Sequence, residues 1–118
     1  MNVEWMRETC LSWPGTTEGL KWGEHLCLMV GEKIFVVISL DQTPVAASLK
    51  VNEEDFDELV SRDGLGQAPY FQKRQWVKVD DITLLDDKEW KDRLRYAYEQ
   101  IRLKLTKKLQ RELAEQEK

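Results

Sequence analysis

A chain of 118 residues, 42% hydrophobic with five tryptophans and a mean hydropathy of −0.58, holds enough apolar material for one core and no run long enough to span a membrane. Eighteen Lys and Arg against twenty-two Asp and Glu leave a formal charge of −4, which excludes a protein that coats nucleic acid by blanket phosphate neutralisation. Cys10 and Cys27, far apart and each inside an apolar pattern, read as small core residues of a reducing compartment, not as a disulfide framework.

Taken in chain order, Asn2 is a helix N-cap and Val3, Met6 and Cys10 supply one apolar helical face. Pro14 cannot continue that helix, so it ends near Leu11 or Ser12. Gly15, Gly19 and Gly23 then punctuate a connection to a sheet. His25 to Val30 and Lys33 to Ile38 are β-branched runs separated by Gly31-Glu32, the pattern of a hairpin. A turn at Asp41-Gln42-Thr43-Pro44 leads to a third strand over 45–51. Asn52 caps a helix to about Arg62, with Glu53, Glu54 and Asp55 suiting its positive end. A loop follows from Asp63 to Pro69, and Trp76 to Val79 forms a fourth strand. Ile82-Thr83-Leu84 is read as a short fifth.

Asp86 with Glu89 resembles a capping box. From Trp90 through Leu94, Ala97, Tyr98, Ile101, Leu105 and Leu109 one apolar stripe continues for about 25 residues, a single helix of roughly 37 Å. The last turns, from Glu112 to Lys118, are expected to fray. The fold class is α+β: a two-layer sandwich in one domain over 1–118, with an antiparallel sheet of about five strands and three helices on one face.

Chemistry is sparse. His25 and Cys27 lie two apart on a strand and share a face, but no third group stands at a triad spacing, so both read as structural. The acidic run from Glu53 to Glu58 is a solvated helix face; no metal site is expected. The charge is segregated: residues 1–87 hold eight Lys/Arg against sixteen Asp/Glu, residues 88–118 ten against six. On the last helix the basic residues flank the apolar stripe on both sides, as snorkelling side chains do. The sharper candidate is Tyr70-Phe71-Gln72-Lys73-Arg74-Gln75-Trp76-Val77-Lys78, where cations suited to phosphates interleave with rings suited to stacking.

The segments Leu11-Ser12-Trp13-Pro14-Gly15-Thr16-Thr17-Glu18, Gly31-Glu32-Lys33-Ile34-Phe35, Leu49-Lys50, Pro69-Tyr70, Lys73-x-x-Trp76-Val77, Tyr98 and Lys104-Leu105-Thr106-Lys107-Lys108 occur in that order. Together they resemble the MmcQ/YjbR family of small bacterial proteins over nearly the whole chain, although Ala97 stands before Tyr98 where that family often has Ser. The resemblance implies a CyaY-like (frataxin-like) sandwich and DNA binding through a winged arrangement of strands and loops. It carries Lys73 and Trp76 over as matches, and chemistry adds Arg74.

The reading is a non-enzymatic, cytoplasmic, monomeric protein without cofactor or membrane attachment. Its partner is DNA, bound through Tyr70, Lys73, Arg74, Trp76 and Lys78, with Lys33, Lys50 and the basic end of the last helix assisting. The alternative is a protein- or small-ligand-binding module whose tryptophans line a cleft.

Overall fold

The computed structural model describes residues 2–117 and is an α+β sandwich: a six-stranded, wholly antiparallel sheet with helices α1 to α4 packed on one face. Helix α1 (Val3–Leu11) starts where Asn2 Oδ1 accepts from the Trp5 N–H at 2.8 Å, and Met6 and Cys10 face the core. Strands β1 (Thr16–Lys21), β2 (His25–Val30), β3 (Lys33–Ser39) and β4 (Ala46–Lys50) form a meander. Helix α2 (Glu53–Val60) intervenes before β5 (Leu65–Gln67) and β6 (Trp76–Val79). Across the sheet the order is β1-β2-β3-β4-β6-β5.

The sequence expectation holds for α1, β2, β3, β4, α2 and β6, and differs in four places. The glycine-punctuated connection is a real edge strand: Thr16 and Thr17 open β1, which pairs along its whole length with β2. A bidentate pair from Arg7 on α1 to Glu18 further fixes it, at 2.7 and 2.5 Å, and holds the Glu18 carboxyl below the usual range. Leu65–Gln67, expected as loop, is the short opposite edge. Ile82–Leu84 is a 3-10 turn, not a strand, because Asp81 Oδ1 accepts from both the Thr83 N–H and its hydroxyl and curls the chain.

The long final helix is broken into α3 (Asp87–Arg102) and α4 (Lys107–Gln116). Thr106 caps the second, its Oγ1 accepting from the Leu109 N–H at 3.2 Å. Gln110 Nε2 donates to the carbonyls of Leu103 and Leu105 that the corner leaves open. The apolar stripe survives the bend because Leu105 and Leu113 fold back onto the core. Residues 112–116, expected to fray, are helical; Lys118 lies outside the described residues.

The core is the layer between α3 and the Leu26, Leu28, Val30, Val36, Ile38, Leu49, Val77 and Val79 face of the sheet. Trp90, fully buried, donates Nε1–H to the Ile82 carbonyl at 2.6 Å. Tyr98 joins the first helix to the rest: its hydroxyl donates to the Pro14 carbonyl at 2.6 Å and its ring meets Trp13 at 5.3 Å and Phe35 at 5.6 Å. Arg95 stacks over both Trp13 and Tyr98 and, with Arg102, grips Glu117 at the end of α4. The Trp13-Pro14 segment, Tyr98 and the end of α4, scattered in sequence, therefore meet at one structural joint.

Candidate functional site

Side chains at paired positions of adjacent antiparallel strands share a face, so the register defines what the helix-free side of the sheet presents. One row across it reads Cys27, Val37, Ser48, Lys78 and Gly66. The next reads Lys21, His25, Ser39 and Ala46. A third pairs Lys50 with Trp76. Among the described residues no helix covers this face, yet Val37, Ser39 and Ser48 are buried. They are a floor of small side chains beneath tall walls.

Trp22 and His25 make one wall, their rings 6.3 Å apart edge to face, and Pro69, Tyr70 and Phe71 make the other. Asp41 and Gln42 from the turn after β3, and Lys78 from β6, complete a cleft of about 650 Å³. That volume falls within the range of ligand clefts, roughly 300–1,000 Å³. His25 Nδ1 lies 3.2 Å from Ser39 Oγ across the floor. Lys78 Nζ stands 4.0 Å from Asp80.

The walls are held in costly backbone. Trp22 (φ 50°) and Tyr70 (φ 69°) both adopt the left-handed conformation that bulky residues avoid. Both rings are set outward, Trp22 66% exposed and Tyr70 fully so. An Asn or Gly would meet either turn at lower cost, and strained bulky residues gather where a site needs them.

The six residues singled out from sequence divide three ways. Tyr70 and Lys78 line the cleft. Lys73 is exposed on the adjoining turn and has no ion-pair or hydrogen-bond partner among the described residues. The other three are engaged within the fold. Trp76 is buried beneath Phe71, ring planes 19° apart and centroids 4.2 Å. Arg74, also at positive φ, makes a bidentate pair with Asp57 at 3.0 Å and lies over the Phe56 ring. Lys50 is only 5% exposed and donates to the Val51 carbonyl at 2.8 Å; burial, with Lys104 nearby, pushes its pKa down.

Asp41, Gln42, Ser39 and Ser48 are site residues that the sequence reading passed over, while Phe71 lies within its candidate segment and Trp22 among the tryptophans of the alternative cleft. A signal existed: Val37/Ser39 and Ser48/Lys50 are period-2 positions where small or polar residues interrupt apolar strands. Among the described residues no group of three or more potential metal ligands is found, and no helix is long and apolar enough to cross a membrane. Cys27, beside Val37 in the same row, is fully buried, and burial pushes its thiol pKa up despite Lys21, so it is held as the neutral thiol.

The YjbR family model matches residues 11–100. The crystal structure of a Deinococcus radiodurans protein with a DUF419 domain is similar at a TM-score of 0.86 and 25% identity, over 96% of this chain and 88% of that one. A Pseudomonas syringae protein of solved structure is similar in fold, TM-score 0.69 at 16% identity, over 84% of this chain and 97% of its own. No curated protein matches the chain significantly.

Proposed function

The chain belongs to the YjbR family, and on that premise we propose that it works by binding, not by catalysis, with single-stranded DNA as ligand and the helix-free face of the sheet as the binding surface. One observation carries the reading: an exposed Trp22 and an exposed Tyr70, both on strained backbone, wall a cleft that contains Lys78. Unstacked bases gain about 1–3 kcal/mol each from such rings, whereas the bases of a duplex are already stacked. Among the described residues the cations at hand, Lys21 and Lys78 on this face and Lys73 on the adjoining turn, are too few to carry a duplex footprint of many phosphates, and Arg74 and Lys50 are otherwise engaged.

A fluorescence-anisotropy titration of a labelled 15-nucleotide oligomer, single-stranded and as duplex, tests this at several salt concentrations. The strand is expected to bind more tightly than the duplex. About three phosphate contacts give a slope of log K against log salt of roughly −2. Equal or tighter duplex binding, or a strand affinity unmoved by Tyr70→Ala, contradicts the proposal.

A second reading, a small planar ligand without nucleic acid, is favoured by the cleft's own dimensions. A thermal-shift screen in which metabolites stabilise the protein and oligonucleotides do not selects it.

A further inference from the structure

The cleft is polarised, and this deepens the single-strand reading on which it rests. Among the described residues its lining has one carboxylate, Asp41, and one ammonium, Lys78. They come from different places: Asp41 lies beyond the end of β3, past the His25–Ser39–Ala46 row, while Lys78 sits on β6 in the neighbouring row. Between them the floor is neutral and hydrogen-bonding, formed by Ser39 and Ser48, and the walls are rings. The complement of such a lining is a flat ligand that is anionic at one end and donates N–H at the other.

A nucleotide with an exocyclic amino group has that form. We propose that the cleft receives one nucleotide unit, its base between the Trp22 and Tyr70 walls, its amino group donating to the Asp41 carboxylate and its phosphate beside the Lys78 ammonium. Asp80, 4.0 Å from Lys78, moderates that end and keeps the anion's contribution small. Cytosine, adenine and guanine carry an exocyclic amino donor; thymine has a carbonyl in place of the cytosine amino group, which faces Asp41 acceptor to acceptor, and its remaining donor, the ring N3–H, lies one position further in. A carboxylate accepting from a base amino group favours the bases that carry one over the base that does not. The same chemistry comes from two sources, a nucleotide within a strand and a free 5′-monophosphate.

The test is a titration followed by intrinsic tryptophan fluorescence, with the four deoxynucleoside monophosphates and with the oligomers dC12, dA12 and dT12. The expected result is weaker binding of the thymine member of each set by about tenfold. Asp41→Ala, at an exposed turn, brings thymine to within about twofold of the others at unchanged Tm. Lys78→Gln weakens all members of a set by a similar factor and leaves the preference intact. Discrimination among oligomers with no saturable monophosphate binding assigns the pocket to a base within a strand; discrimination in both sets assigns it to the free nucleotide as well. Oligomers that bind without base preference, or a preference that survives Asp41→Ala, overturn the pocket and leave the single-strand reading standing. Loss of all oligomer binding in the wild type overturns both.

Discussion

Lys50 and Arg74 are both cations that the sequence offers to a binding surface, and the fold gives them other partners. Arg74 is turned toward α2 by a left-handed backbone and satisfied by Asp57, whose carboxyl it holds below the usual range. Lys50 is buried opposite Trp76 with a backbone carbonyl as its acceptor. An ammonium so placed is a cost to folding, since burial disfavours the charged form more than one neutral acceptor restores it. Lys50→Met keeps the aliphatic stem and removes the charge, so thermal unfolding is expected to rise by about 4 °C near neutral pH, equivalent to ~1 kcal/mol. The pH dependence has a definite sign. With its folded pKa lowered, Lys50 binds protons less readily in the native state. Its cost is therefore full below that pKa and vanishes as pH approaches about 10.4. The advantage of the variant should shrink over the same interval. Oligomer affinity should not change; a loss of affinity at unchanged fold would return Lys50 to the binding surface.

At the scale of elements, the ends of the chain depend on two leucines packed over glycines. Gly31, at φ +56°, turns β2 into β3, and a Cβ there would lie 2.5 Å from Leu105 Cδ2. Gly15, at φ +74°, stands in the same relation to Leu113 of α4. Gly31→Ala adds both left-handed strain and that clash, and is expected to cost about 1–3 kcal/mol. Hydrogen exchange should quicken across residues 105–113 first, because the corner is what the new methyl displaces. Leu105→Ala in the same chain should recover the steric part but not the strain, a coupling that a double-mutant cycle reads out. The corner also marks where sequence periodicity misleads. Leu105 and Leu109 continue the stripe of Trp90, Leu94 and Ile101 in register, so spacing alone reports one helix; Thr106 as an N-cap and Gln110 reaching back to two carbonyls decide otherwise. Strand β1 was hidden for the opposite reason. Gly19 weakens its pattern, and its place is fixed by long-range contacts, the β2 ladder and the Arg7–Glu18 pair.

For the whole molecule, the layered class was legible because Asn2, Pro14, Asn52 and the apolar periods fix helices and strands locally. Of the six residues singled out, only Tyr70 and Lys78 line the cleft. Trp22 and Asp41 were not legible as their partners, because the register of the sheet alone brings them to Tyr70. The molecule that results divides its labour between faces. One side of the sheet is closed by helices, with Trp13, Pro14 and Tyr98 as the joint; the other is left open, walled by rings and floored by small residues. The most direct measurement is a heteronuclear NMR titration of the labelled protein with a short mixed-sequence DNA strand. The expected shifts fall on Trp22, His25, Ser39, Ser48, Tyr70 and Lys78, with α3 and α4 silent. Perturbations gathered instead on the basic residues of α3 and α4, with the Trp22 and Tyr70 signals unmoved, would contradict a binding surface on the helix-free face.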